Sequence, residues 1–442
     1  MTHPYIQSAA LEAVSTGRAQ SPGRSVRSPL LARVLKFMLV LGPGLIVMVA
    51  DNDSGAVSTY SQAGGIYGLR LLWIIAILLP CTYFVQEMVA RLGIATGSGL
   101  ATLIVQRFGR AWGAFTAAQL QLVNFLTLVT EFAAITLAST AFGFPPTLAV
   151  PLAAAGLMAM VLSGSYRRWE RATLVLCAFD LIWLALAIST GPGLGRVALA
   201  TIHPGLPAGG LSGSLVFLII AIVGTTIAPW QLFFQQACVA DKRLRFADLK
   251  AERLETFIGA LIVIGMAACM MIVADAARRA GFTFTDPAAM ATFLGAHVGA
   301  WMRPAILLLM INAALLGSVT ISLSSSWTYG EMRGWSHSLN VPFRDAPGFY
   351  LSYAAAIGLA AGLVLIPGAP LQLIILGVQV LAGLMLPIAI VFLQLLLNDR
   401  DVLGEHVNRP WQNAVNWTIV TILVALSFLL VAQVVAPGLF PA

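Results

Sequence analysis

Charge is what this chain has least of: of 442 residues only 10% are Asp, Glu, Lys or Arg, against 59% hydrophobic ones. With a mean hydropathy of +0.88, a globule of this length has too few polar side chains to keep its surface wet, which excludes a soluble fold and makes lipid the solvent. Cysteine is scarce as well. The four present (Cys81, Cys177, Cys238, Cys269) fall inside apolar runs without metal-ligand spacing, which leaves them as small core residues. Histidine is missing from the apolar segments: His3, His203, His297, His337 and His406 lie in the tail or in loops. No imidazole is therefore placed within a span to change charge near neutral pH. The first thirty or so residues, rich in Ser, Arg and Pro, lack the apolar core of a cleaved signal peptide. Residues 1–32 read as a disordered cytoplasmic tail ahead of a transmembrane domain at 33–442. No nucleophile set or enzyme-type metal-ligand set is found, so neither catalysis nor a resident cofactor is expected.

Apolar sequence, by contrast, is abundant and cut to the length of membrane spans. A spanning helix takes roughly 20 mostly apolar residues. About eleven such segments follow one another, near 35–64, 69–92, 112–140, 146–163, 172–190, 213–240, 254–275, 300–325, 349–367, 370–396 and 414–436. The expected fold class is an all-α polytopic membrane protein. With the N-terminus in the cytoplasm, only Arg70, Arg196, Arg278, Arg279 and Arg303 fall outside, and every other Lys and Arg falls inside. That asymmetry satisfies the positive-inside rule and places the C-terminus outside. The formal charge of +7 thus reports orientation rather than a nucleic-acid partner. A bacterial inner membrane fits the compact chain and its Arg-rich loops; the bilayer is the expected partner, with no obligate protein partner evident.

Two segments are broken where lipid tolerates neither polar groups nor free backbone. The first reads Gly42-Pro43-Gly44, then LIVMVA, then Asp51-Asn52-Asp53-Ser54-Gly55-Ala56. Carboxylates at mid-membrane are costly. They become tolerable if the helix unwinds at Asn52–Gly55, so that carboxylates and freed carbonyls face a cation in a wet cavity. The sixth segment meets Pro229, followed by Trp230, Gln231, Gln235 and Gln236. Proline supplies no backbone donor, which releases the carbonyl of Thr225 and its neighbours. Breaks in the first and sixth positions are what a LeuT-like inverted repeat of five helices plus five produces, with substrate at the midplane where the unwound segments meet and half-helix carbonyl ends favouring a cation. Glu131 and Asp180, also within apolar segments, read either as proton sites or as paired structural acids. Glu87 reaches Arg91 one turn on, and Gln379 offers its amide either to a metal or to a neighbouring helix.

At these residues the chain resembles the Nramp family of divalent metal transporters. "GPGLIVMVADNDSG" is similar to that family's first helix with its Asp-Pro-Gly-Asn motif, "YGLRLLW" and "VARLGIATGSGLA" to the second helix and its exit, "TTIAPWQLFFQQ" to the sixth with its Met-Pro-His motif, and "QVLAGLMLP" with "NDRDVLGEHVN" to the tenth and the loop behind it. The resemblance implies that Asp53 is the metal-binding aspartate, with the Ala50 and Thr225 carbonyls and the Gln379 amide as further ligands. Ala56 stands where the family places a coordinating Asn, and Ala228 where it places Met. Loss of a soft thioether removes the preference for transition metals. Mg²⁺ is hard, keeps several waters and needs few protein ligands, so the combination resembles the Nramp-related magnesium-transporter branch. Asp51, where the main family has an aromatic residue, either holds the ion through water or has a helix-cap or structural role. Ser54, Gly55, Pro229, Gln231 and Glu131 are expected along the access path. The family's acidic pair reads Glu131 and Ala134, and Trp230 and Gln235 replace its two histidines.

The expected function is import of divalent cations, Mg²⁺ and also Mn²⁺, as partly hydrated ions by alternating access without proton coupling; the metal is cargo. Two alternatives share the architecture: a proton-coupled Mn²⁺ or Fe²⁺ importer of the main family type, and an organic-substrate transporter.

Overall fold

The computed structural model describes residues 42–435 apart from residues 163, 208, 209, 211 and 367. The expected tail at 1–32, and residues 35–41 of the first segment, lie outside the described residues. Those described form helices and connecting turns, with no strand among them: α1 Pro43–Ala50, α2 Ser54–Tyr67, α3 Leu72–Thr96, α4 Leu100–Phe108, α5 Arg110–Phe142, α6 Pro146–Leu162, α7 Tyr166–Phe179, α8 Ile182–Ser189, α9 Leu194–Ile202, α10 Gly213–Thr226, α11 Pro229–Asp241, α12 Leu249–Arg279, α13 Pro287–His297, α14 Met302–Arg333, α15 Pro347–Val364, α16 Leu371–Leu397, α17 Arg400–Leu403 and α18 Pro410–Val435. Among the described residues nine stretches are long and apolar enough to cross a membrane. One of them, Ser54–Thr96, holds two helices that meet at the 3-10 turn Gly68–Leu71, and α6 adds a shorter apolar helix. The chain is an integral membrane protein, and among the described residues each of the eleven expected segments contains helix.

Three boundaries differ from expectation. The first unwound stretch is Asp51–Asp53 rather than Asn52–Gly55, because Asp53 caps α2: its Oδ1 accepts from Ala56 N at 2.9 Å, so Ser54 and Gly55 already lie in the first helical turn. The fifth segment, expected to be continuous, is interrupted at Asp180–Leu181. There Asp180 Oδ1 accepts from Asn312 Nδ2 of α14 at 2.7 Å, while its Oδ2 has no partner. The sixth break spans only Ile227 and Ala228 before Pro229 opens α11, the position in a helix where proline's missing N–H costs least.

Loops and helix ends sort to two ends of the bundle. At the Arg-rich end, Arg91 bonds Glu87 at 3.2 Å, and Arg253 of α12 reaches the same carboxylate at 2.6 Å. Arg91 also donates to the His406 carbonyl at 3.1 Å and to Asn408 Oδ1 at 2.5 Å, which ties α3 to the loop before α18. Lys242 pairs with Glu170 and Ser338 bonds Asp241 at that same end. At the opposite end, the buried Asp275 accepts from Arg196, Arg278 and Arg279. The local Glu87–Arg91 pair is thus part of a network across three elements. Both its side chains are about 95% covered, so Arg91→Met is expected to lower stability by about 3 kcal/mol by leaving a buried carboxylate to Arg253 alone; thermal unfolding in detergent reads it.

One helix crossing positions the site. A Cβ on Gly224 of α10 would collide with the Gln379 carbonyl and lie 2.5 Å from Gly383 N of α16. Two glycines therefore let the two backbones touch, and that contact sets where α16 presents the Gln379 side chain. On the other side, α11 is clamped by rings: Phe234 lies 6.0 Å from Trp169, 6.0 Å from Trp230 and 5.6 Å from Trp327.

Candidate cation site

The two interruptions meet. Tyr60 of α2 and Thr226 of α10 share a hydroxyl hydrogen bond at 2.7 Å on one side of the meeting point. On the other side Gln231 Nε2 of α11 donates to Asp51 Oδ1. Between these clamps each break frees a particular carbonyl. A continuous first helix would return Ser54 N–H to the Ala50 carbonyl, but it donates instead to Glu131 Oε2 of α5 at 3.1 Å. In the sixth segment the donor that would return to the Thr225 carbonyl belongs to Pro229, which has no N–H. Ala50, the last residue of α1, and Thr225, in the last turn of α10, therefore keep carbonyls without the donor four residues on, and both residues are buried. Such carbonyl ends carry partial negative charge.

Two carboxylates share this interior with them: Asp51 is 1% exposed and Asp53 3%. Asp51 Oδ2 has no hydrogen-bond partner, nor do Glu131 Oε1, the Ser54 and Thr225 hydroxyls, either polar atom of the Asn52 side chain, or Gln379 Nε2. Buried polar groups are normally paired, so this concentration of orphans marks a place built for something polar that binds there. Small residues let the elements approach closely here. Ala50, Ala56 and Ala228 are all buried. A Cβ on Gly55 would collide with the Gln379 amide, and one on Gly317 of α14 would lie 2.8 Å from Glu131 Cδ and 2.9 Å from Asp53 Cβ.

The residues expected at the site are thus gathered by the fold. Asp51, Asp53, Ala50, Ser54, Gly55 and Ala56 come from the first break, Thr225, Ala228, Pro229 and Gln231 from the sixth segment, and Gln379 and Glu131 from flanking helices. Asp51 is the residue that closes α1 and Asp53 the one that caps the start of α2, while the Asp51 side chain places one oxygen on Gln231 and leaves the other without a partner. Glu131 acts as acceptor for the backbone at the break. The Gln379 amide lies against Gly55, nitrogen foremost; a half-turn about its last torsion presents the oxygen.

Sequence reasoning missed Gln86 of α3, whose Nε2 donates to Gln231 Oε1 at 2.8 Å, and with it the chain Gln86, Gln231, Asp51. It also missed Asn52 as a side chain, the Tyr60–Thr226 bond and Gly317. An uncharged glutamine facing inward from an apolar run was the available signal for Gln86. No group of three or more His, Cys, Asp or Glu side chains able to hold a metal occurs among the described residues. A closed cage of charged side chains is therefore not what these residues build. They offer two carboxylates, freed carbonyls and an amide, an oxygen set suited to a hard cation that keeps water.

Comparison with known proteins agrees with that architecture. The family described as natural resistance-associated macrophage protein-like (Nramp) matches residues 44–433. The divalent metal cation transporter MntH of Staphylococcus aureus (strain JH9) is 24% identical over 426 residues, covering 90% of this chain and 92% of the relative. A solved structure of the Eremococcus coleocola manganese transporter superposes with a TM-score of 0.75 at 19% identity, covering 95% of this chain and 91% of that one. MhsT, solved in complex with L-phenylalanine, superposes with a TM-score of 0.59 at 15% identity over 87% of this chain and 98% of its own. These neighbours share the LeuT-like fold, whose five-plus-five inverted repeat places interrupted helices first and sixth. With the family match running from the first half-helix to the last span, the chain belongs to the Nramp family.

Proposed function

We propose that this protein carries divalent metal cations across the membrane, taking Mg²⁺ and Mn²⁺ as partly hydrated ions by alternating access and without proton coupling. One observation carries the reading: Asp51 and Asp53, both buried, lie where two half-helices end in freed carbonyls, and alanines stand at 56 and 228 beside them. Divalent metal transport is what the names of the relatives state, for MntH and for the manganese transporter. The magnesium reading rests on what the site lacks. Without a thioether or an amide at positions 228 and 56, the ligands left to the site are mostly oxygens, which favours a hard ion with its waters over a soft, stripped one.

The chain's own residues supply each step. Asp53 attracts the ion and is held in place by its own capping bond to Ala56 N. Asp51, steadied by Gln231, faces it with a free oxygen that accepts from ion-bound water. Glu131 keeps the first break open by occupying Ser54 N–H. Exchange of access follows from motion of the half-helices α1 and α11 against the rest. The membrane potential is worth roughly 4.6 kcal/mol for a divalent ion per 100 mV, which drives import with no proton moving alongside. In support, no histidine lies in the described spans; His203 and His406 are exposed between helices, and His297 is exposed at the end of α13.

Uptake into proteoliposomes is the test. Mg²⁺ is expected to compete with Mn²⁺ entry, and the lumen is expected to keep its pH as metal enters. Mn²⁺ entry that Mg²⁺ leaves untouched overturns the magnesium reading, and metal-driven acidification overturns the uncoupled one. Ala228→Met is expected to shift the ratio of Mn²⁺ to Mg²⁺ uptake toward Mn²⁺ by about tenfold, equivalent to about 1.4 kcal/mol of added soft-ligand preference.

A further inference from the structure

Glu252 and Glu255 of α12 are buried, at 0% and 1% exposure, beside the first half-helix and away from the break. One oxygen of each is engaged. Glu255 Oε1 accepts from Gly42 N at 2.6 Å and from Leu45 N at 2.8 Å, holding the start of α1, and Glu252 Oε1 accepts from Gln235 Nε2 at 3.3 Å. The other oxygens, Glu252 Oε2 and Glu255 Oε2, have no partner, and neither has Oε1 of Gln235, itself fully buried. Thr256 Oγ1 stands 3.5 Å from Gln235 Nε2. Gly44 leaves the space between them: a Cβ there would lie 3.0 Å from Thr256 Oγ1, 3.2 Å from Glu252 Oε1 and 3.5 Å from Glu255 Cδ.

We propose that Glu252 and Glu255, with Gln235 and Thr256, form a second site for a hydrated divalent cation, between the central break and the Arg-rich end. The proposal rests on the reading that divalent cations pass through the break. Gln231, which holds Asp51, and Gln235, which reaches Glu252, are one turn apart on the same face of α11. Half-helix α1 runs beside them, with Asp51 at its end and Gly44 in its first turn, about 10 Å apart along the axis. An ion leaving Asp51 toward the Arg-rich end therefore meets this acid pair next.

The donors are all oxygen, as a hard ion requires, and two ligating carboxylates with retained waters are the usual complement for Mg²⁺. The neighbouring Glu170 is paired with Lys242 at 2.7 Å, so the unengaged oxygens belong to Glu252 and Glu255. The bonds from Gly42 and Leu45 make Glu255 the anchor of α1, so an ion resting there bears on the half-helix whose motion opens the path.

Counting bound Mn²⁺ by electron paramagnetic resonance on the purified full-length protein tests this. Wild type is expected to bind two ions, Glu252→Gln/Glu255→Gln one, and Asp53→Asn one. Glutamine keeps the acceptor that Gly42 and Leu45 need. Where the double variant loses its fold, Glu252→Gln alone, which leaves the α1 cap intact, is expected to bind one. Two ions in either glutamine variant, or a single wild-type ion that Asp53→Asn removes, overturns the second site. Two ions retained by Asp53→Asn sinks the central site instead.

Discussion

Asp53→Asn is expected to abolish divalent-cation uptake, at least a hundredfold below wild type, while unfolding at nearly the wild-type temperature. The two halves of that expectation have separate physical origins. Asp53 has a structural task, since its Oδ1 accepts from Ala56 N and starts α2. Asn caps a helix about as well as Asp, so the exchange changes stability by at most about 0.5 kcal/mol. What Asn lacks is the negative charge, and in a site that leaves much of the coordination to water the carboxylate carries a large share of the attraction. A loss of about 3 kcal/mol in ion binding corresponds to roughly a hundredfold. Asp53→Ala removes charge and cap together and is expected to lower stability by about 1 kcal/mol as well. Comparing the two variants in uptake and in thermal unfolding separates ligand from cap.

Gly224→Val is expected to be the most damaging change away from the carboxylates. Its Cβ would collide with the Gln379 carbonyl and press on Gly383 N, and backbone does not move aside as a flexible side chain does. Overpacking of a tight contact costs about 3 kcal/mol. Separating α10 from α16 also withdraws the Gln379 amide from Gly55, so uptake is expected to fall even where the protein still folds. Thermal unfolding and initial uptake rate, measured on the same preparation, check both effects. Gly224→Ala is expected to lie between wild type and Gly224→Val in each.

The architecture was legible because lipid makes sequence rules strict. Span-length apolar runs and the excess of Arg on one set of loops marked the helices, while Asp51, Asp53 and Pro229 stood out as residues hydrocarbon does not tolerate unless the backbone opens. What was not legible depends on partners far away in sequence. Nothing local says that Glu131 takes the Ser54 N–H and so frees the Ala50 carbonyl, or that the Asp53 side chain caps α2 while that of Asp51 turns to Gln231. Gln86 reads as an isolated amide until Gln231 is placed beside it. Asp180 lies where its helix is interrupted, and there it meets Asn312 of α14. Glu252 and Glu255 fall in a charged stretch, Lys250-Ala251-Glu252-Arg253-Leu254-Glu255, that looks like an ordinary solvated helix start. Only packing against α1 and α11 shows them buried. Periodicity and composition locate elements, but the pairing of polar groups across elements is a tertiary property.

The central claim is that a hydrated dication rests where the first and sixth segments are broken. Crystals soaked in Mn²⁺ and measured for anomalous scattering test it most directly. A peak is expected beside the Asp53 carboxylate, on the side of Ala228, with water completing its coordination and the Ala50 or Thr225 carbonyl in reach. Anomalous density confined to carboxylates at the surface, with the space around Asp53 left without metal, would contradict it.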